Sequence, residues 1–122
     1  MLSDSARIGV VGNCVAGKST LVNSLKELGY QAVNIPQEHS VSPRFWRRVK
    51  PDFLVYLSCT LDVARSRRKI PWGQERLDEQ WAILSDAREH ADLCIDTDPL
   101  GTEDVLNLVI SELGARGAAL HR

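Results

Sequence analysis

Short apolar runs alternate along the chain with stretches in which apolar residues recur at helical spacing. The apolar runs predict four strands, at residues 7–11, 30–35, 53–57 and 93–95. The helical spacing predicts helices at residues 19–28, 61–69, 74–90 and 102–113, with Thr102 as an N-cap, and a shorter one at 43–50 capped by Ser42. Strands that alternate with helices predict an α/β fold with a parallel sheet, in a single domain over residues 1–122.

The most specific motif follows the first predicted strand. Residues 12–19 read GNCVAGKS and match GxxxxGK[ST], the phosphate-binding P-loop, between an apolar strand and an amphipathic helix. The glycines allow a tight turn whose N–H groups point at phosphate oxygens, and the helix N-terminus adds positive potential. We therefore expect a nucleoside triphosphate to be bound by consecutive residues: Gly12, Asn13, Cys14, Val15, Ala16, Gly17, Lys18, Ser19 and Thr20.

Individual side chains of this loop have distinct expected roles. Lys18 would reach the β- and γ-phosphates, the Ser19 hydroxyl would ligate Mg²⁺, and Thr20 would donate near the α-phosphate. We interpret Cys14 as a small side chain that fits a cramped turn, although a nearby helix N-terminus would make its thiol readily alkylated.

A carboxylate is expected near the phosphates, and one residue is placed to supply it. Glu38 is the only carboxylate between Glu27 and Asp52, and it follows the strand at 30–35 on the side where α/β sheets bind ligands. We predict that Glu38 holds Mg²⁺ or acts as the base for a substrate hydroxyl. The alternatives are that Glu38 is a solvated loop acid, or that Gln37 orients a water molecule.

Charge is unevenly distributed, although the net charge of the chain is −1. Residues 44–76 carry nine Lys and Arg and three acids, whereas residues 77–112 carry ten acids and one arginine. The basic segment, residues 44–76, is either a solvated surface or a contact for a polyanion such as a phosphate chain or a nucleic acid. Trp46 and Trp72 lie beside its arginines and either cover the core or stack on bases, whereas Trp81 is expected in the core.

Two further stretches resemble the P-loop kinases. Residues 51–68, PDFLVYLSCTLDVARSRR, resemble a segment of the thymidylate kinases. Residues 91–113, ADLCIDTDPLGTEDVLNLVISEL, resemble the last strand and helix of shikimate kinase-like proteins. The resemblance implies a three-layer P-loop NTPase sandwich with a short, mainly parallel sheet of about four strands. It also implies a mobile arginine-bearing lid in the stretch that holds Arg65, Arg67, Arg68 and Arg76, of which Arg67 and Arg68 would clamp the transferring phosphoryl group.

The chain also departs from these kinases. Ser58 stands where they often have Asp, and the segment between the first helix and residues 53–57 is much shorter than theirs. The acceptor site is therefore small, shared between the subunits of a homodimer, or absent. Small GTPases share the pattern GKSTLVNSL, but the guanine-specific NKxD element is missing from the chain, so ATP is expected rather than GTP.

These observations favour a compact Mg²⁺- and ATP-dependent kinase that transfers the γ-phosphate to a small molecule or nucleotide. The alternatives are an NTP-hydrolysing switch that binds a macromolecule, nucleic acid included, through the basic segment, and a nucleotide-binding protein without catalysis. The chain has no apolar run long enough to cross a membrane. Three widely spaced cysteines and no visible secretory signal favour a cytoplasmic protein.

Overall fold

The computed structural model describes residues 5–13 and 15–117, so the expectations for Cys14 lie outside the described residues. The strands are β1 Arg7–Gly12, β2 Gln31–Asn34, β3 Phe53–Ser58 and β4 Leu93–Asp96. The α-helices are α1 Lys18–Glu27, α2 Leu61–Arg67, α3 Gln74–Ile83, α4 Ser85–His90 and α5 Thr102–Ala115. Two 3₁₀ turns, Gln37–His39 and Phe45–Val49, lie between β2 and β3.

The four strands form one sheet in the order β2-β1-β3-β4, and every neighbouring pair is parallel. In register, Val10 lies between Asn34 and Val55, and Leu57 lies beside Ile95. The predicted α/β class and parallel sheet are confirmed. Because all strands run in the same direction, their carboxyl ends gather at one edge of the sheet, where ligands of such folds bind.

Helices cover both faces of the sheet, and the central strands alternate between them. On β3, Phe53, Val55 and Leu57 pack into a core that includes residues of α1 and α5. Leu54 and Tyr56 face the opposite side, where the core is completed by the turn at Phe45–Val49 and by α4. Burial on both faces explains why β1 and β3 appear in the sequence as nearly continuous apolar runs.

The region between β2 and β3 differs from the prediction. The helix expected at 43–50 is a 3₁₀ turn preceded by Arg44, and Ser42 does not cap it. Gln37, which is fully buried, takes that role: its Oε1 accepts from the Trp46 N–H at 2.8 Å. Its Nε2 donates to the carbonyls of Ser42 and Ile83 at 2.7 and 3.2 Å. Gln37 therefore joins three segments, and the suggestion that it orients a water molecule is wrong.

The long helix expected at 74–90 is divided at Leu84 into α3 and α4. Leu84 is fully buried, and Asp86 in the first turn of α4 accepts from the Trp46 indole N–H at 2.9 Å. This contact fixes α4 against the 3₁₀ turn, a constraint that helical periodicity does not encode.

The last helix starts and ends differently from the prediction. Thr102 is the first residue of α5 rather than its cap. The residue before the helix is Gly101, and the Gly101 N–H donates to the Asp104 carboxylate at 3.0 Å. Gly114, expected to end the helix, lies within α5. Within the described ranges, no helix is both long and apolar enough to cross a membrane.

Candidate functional site

The loop between β1 and α1 is held in a restricted backbone conformation. A Cβ atom at Gly12 would lie 2.2 Å from the Leu57 carbonyl oxygen, so only glycine allows this approach to β3. Gly17, the residue before α1, has a left-handed φ of 100°, and Val15 also has a positive φ of 68°. A left-handed β-branched residue is strained, and such strain concentrates at functional sites.

This loop forms one wall of a cleft of about 740 Å³ at the carboxyl edge of the sheet. The cleft brings together residues that are far apart in the sequence: Val15–Leu21, Asn34, Pro36, Glu38, His39, Arg67, Arg68, Thr97, Leu100–Thr102 and Val105. Lys18, Ser19, Thr20, Glu38, Arg67 and Arg68, all expected at the site, are among them. Gly12 and Asn13, also expected at the site, are not among the lining residues.

Lys18 and Glu38 form a buried ion pair in this cleft. Lys18 Nζ lies 2.5 Å from Glu38 Oε2, and both side chains are more than nine-tenths buried. The same Nζ also donates to the carbonyls of Gly12 and Asn13, at 2.9 and 3.2 Å. The ammonium group is thus fixed between β1 and the turn that follows β2.

One oxygen of this carboxylate is left without a partner. Glu38 Oε1 is buried and has no hydrogen bond with any residue that the structure describes. Ser19, which lines the same cleft, accepts from Asn34 Nδ2 at 3.1 Å through its hydroxyl oxygen. A carboxylate and a hydroxyl are oxygen ligands of the kind Mg²⁺ prefers, and Mg²⁺ in phosphate sites keeps several waters. The donor set therefore fits Mg²⁺, although the described residues contain no cluster of three or more metal-ligating side chains.

The Asn13 side chain holds the loop in place. It is fully buried, and its Oδ1 accepts from the Cys59 N–H at 3.1 Å and from the Trp81 indole N–H at 3.3 Å. Asn13 therefore ties the loop to the end of β3 and to α3. Trp81, expected in the core, is only partly buried and reaches the loop through this bond.

The buried Cys59 thiol lies beneath the same loop. Burial raises its pKa, and this outweighs the opposing effects of the Asn13 hydrogen bond and the nearby Arg67 and Lys18 charges. A thiol with a raised pKa stays protonated and unreactive near neutral pH, so Cys59 acts here as a packing residue.

Arg67 fastens α2 to two other parts of the site. Its guanidinium donates to the Val15 carbonyl at 3.1 Å, and to Thr97 Oγ1 and the Thr97 carbonyl at 3.0 and 2.7 Å. Thr97 is itself held by a 3.0 Å hydrogen bond to the Ser58 carbonyl. Thr97 is a site residue that the sequence did not single out, and its only signal is a polar residue directly after the last strand.

The other arginines expected in the lid divide into two groups. Arg68 lines the cleft, and its side chain makes no hydrogen bond or ion pair with the residues described. Arg65 and Arg76 do not line the cleft, and Arg76 lies 3.9 Å from Glu79 on the exposed side of α3.

The basic segment does not form one surface. Arg44 and Arg47 lie 3.9 and 3.5 Å from Asp86, on the face of the sheet opposite to α2. Trp46 is nine-tenths buried there, so its alternative role of stacking on bases is wrong. Trp72 is partly buried against the core that contains α1 and α5.

Comparisons with known proteins add information on the fold alone. No protein-family model matches the chain, and no curated protein matches it. Among solved structures, the chain is similar to the crystal structure of YorR from Bacillus subtilis, which is in complex with phosphorylated GDP. The identity is 14%, the TM-score is 0.61, and the match covers 94% of this chain and 99% of YorR. The chain therefore shares the fold of a nucleotide-bound protein.

Proposed function

We propose that this chain is a compact P-loop phosphotransferase that binds Mg²⁺ and a nucleoside triphosphate in the cleft. The observation that carries the proposal is the buried pair of Lys18 and Glu38 beside the start of α1, with Glu38 Oε1 left unpartnered. An ammonium group next to a helix N-terminus in a glycine-rich loop is suited to bind phosphate. ATP is the proposed nucleotide because the chain lacks NKxD, and the YorR complex makes GTP the second to test.

In this proposal, the phosphates are bound by groups that are already in place. The carbonyls of Gly12 and Asn13 position the Lys18 ammonium, so little reorganisation is needed when a phosphate chain arrives. Arg67 and Arg68 add positive charge from the opposite wall of the cleft. Because Arg67 is bonded to the loop through Val15, its position is linked to that of the bound phosphates.

Ser19 and Glu38 would hold the magnesium ion, which neutralises charge on the phosphate oxygens when bound. Lys18 fixes the orientation of the Glu38 carboxylate through Oε2, so Oε1 is the oxygen that faces its second partner. The same Oε1 could instead accept the proton of an acceptor hydroxyl, the second role considered for Glu38.

The alternative is an NTP-hydrolysing switch without a small-molecule acceptor. One observation favours it: Glu38 is the only carboxylate among the described residues that line the cleft, and Lys18 already engages it. A transferase that uses Glu38 for the metal then has no second carboxylate there to activate an acceptor.

Replacement of the loop lysine tests nucleotide binding. Lys18→Ala should weaken triphosphate binding about a hundredfold or more, because charge-assisted contacts to phosphate are lost. Lys26→Ala removes an exposed lysine of the same helix and should leave the affinity unchanged. Calorimetric titration with ATP and GTP measures both, and wild-type affinity in Lys18→Ala would refute the proposal. Because that variant leaves Glu38 buried and unpaired, Lys18→Ala/Glu38→Gln should be measured beside it.

Glu38→Gln separates binding from turnover. The variant should retain triphosphate binding and lose about a hundredfold or more in turnover, because the amide neither replaces a carboxylate ligand nor accepts a proton. Transfer of labelled γ-phosphate is followed with a panel of nucleosides, nucleotides and small hydroxy compounds. Transfer to one of them supports the kinase, whereas hydrolysis alone supports the switch. Full turnover in Glu38→Gln would show that the acid has been misplaced.

A further inference from the structure

A second cavity, of about 380 Å³, lies at the carboxyl ends of β3 and β4. Its walls come from Tyr56 and Ser58 of β3, Asp96 of β4, Trp81 of α3 and Arg88 of α4. None of its lining residues also lines the large cleft. Tyr56 and Trp81 belong to the core on the face opposite to α1, so the second cavity is a separate site.

Tyr56 supplies a phenol hydroxyl to this cavity. The residue is only 4% exposed, and its hydroxyl makes no hydrogen bond within the described ranges, 5–13 and 15–117. The hydroxyl is therefore free to donate to a molecule in the cavity. Burial raises the pKa of Tyr56, and the Arg88 charge lowers it by a smaller amount, so the phenol stays protonated and able to donate.

The neighbouring polar groups of the cavity are also available. Among the described residues, the Arg88 guanidinium has no ion pair or hydrogen-bond partner, unlike Arg47 and Arg116, which lie beside Asp86 and Asp92. The Ser58 hydroxyl likewise makes no hydrogen bond in the described part of the chain. Three donors thus line one cavity: a phenol, a guanidinium and an aliphatic hydroxyl. The cavity also contains one carboxylate, Asp96, whose Oδ1 accepts from the Asp98 N–H at 3.0 Å.

We propose that this cavity binds a small molecule carrying an oxyanion, a phosphate or a carboxylate, on a flat apolar body. The oxyanion accepts from Tyr56 and Arg88, and the body packs against the Trp81 ring and Ile95. The volume lies in the range of small-ligand sites. The proposal goes beyond the nucleotide cleft and does not depend on its activity.

The test uses phenyl phosphate, titrated into the isotope-labelled chain while backbone amides and indole N–H groups are followed by NMR. Binding in the second cavity should shift the amides of Ser58, Cys94 and Asp96 and the indole N–H of Trp81. Arg88→Gln should raise the Kd from these shifts about tenfold or more, and Tyr56→Phe several-fold, since each removes one donor to an anion. Arg48→Gln, which removes an exposed arginine outside the cavity, should leave the Kd unchanged.

Inorganic phosphate and benzoate, titrated in parallel, identify the source of the oxyanion. If inorganic phosphate shifts the same amides as strongly as phenyl phosphate, the ligand is free phosphate; if benzoate does so, it is a carboxylate. Both results support the site. Shifts confined to Gly17–Thr20, or the same Kd in Arg88→Gln and Tyr56→Phe as in the wild type, overturn it. Shifts confined to Gly17–Thr20 would still support phosphate binding by the loop, and therefore the proposed function.

Discussion

The two ends of the basic segment contain the same residue type but have different environments. At the 3₁₀ turn, Arg44 and Arg47 lie beside Asp86, and that carboxylate also accepts from the buried Trp46 indole. In α2, Arg67 is bonded to backbone carbonyls at the cleft, and Arg68 follows it along the cleft wall without a protein partner among the described residues. One group is paired with an acid of the fold, whereas the other lies at the cleft, where Arg68 has no protein partner among the described residues. A count of charges along the sequence does not distinguish them.

The largest expected effect is a loss of turnover when Arg67, the arginine bonded to the glycine-rich loop, is replaced. Arg67→Gln removes the link between α2, the glycine-rich loop and Thr97, and it removes a charge from the cleft. Turnover should fall about a hundredfold, in the range found when one preorganised donor is lost. Arg47→Gln should change turnover less than about twofold, as expected for an exposed ion pair far from the chemistry. Equal losses of turnover in both variants would contradict the distinction between the arginines beside Asp86 and those at the cleft.

A smaller effect is expected for the arginine that has no protein partner. Arg68→Gln should lower triphosphate affinity about tenfold, the loss of one charged contact to phosphate, and leave the thermal midpoint unchanged. Arg48→Gln provides the matched control, because Arg48 is exposed and packs over the Phe45 ring. Calorimetric titration and thermal unfolding measure the two properties. A fall in thermal midpoint without a change in affinity would assign Arg68 to the fold.

The smallest expected effect concerns Asp86 and is seen in stability. Burial acts to raise the Asp86 pKa, but the hydrogen bonds from Trp46 and Arg47 and the charges of Arg47 and His90 lower it overall. A lowered pKa stabilises the fold above the unfolded-state value, near 3.8, and this contribution is lost as the pH falls through the folded-state value. Asp86→Asn should therefore cost about 1 kcal/mol at pH 7 and less at pH 3, as measured by urea unfolding. A cost that does not change with pH would show that charge is not involved.

The sequence predicted those features that depend on local residue patterns. The four strands follow from apolar runs, and the tight turn before Lys18 follows from the spacing of Gly12 and Gly17. The position of Glu38 after a parallel strand predicts that it lies at the ligand-binding edge of the sheet, and there it is paired with Lys18.

The remaining features depend on contacts between residues distant in sequence. Nothing near Gln37 indicates that its amide caps a turn and also binds α3. The same holds for Asn13, whose partners are 46 and 68 residues away. Likewise, the helix that begins after Leu84 is bonded through Asp86 to a distant residue, Trp46. Such side-chain contacts are fixed by packing of the whole domain, so a pattern in a short window does not contain them.

The lengths of the four strands affect how this protein meets its neighbours. The central strands have six residues each, but β2 and β4, the two edges of the sheet in the described part of the chain, have four. A short edge offers few free N–H and C=O groups to a strand from another molecule. The sheet edges of this protein are therefore poor templates for a strand from another molecule.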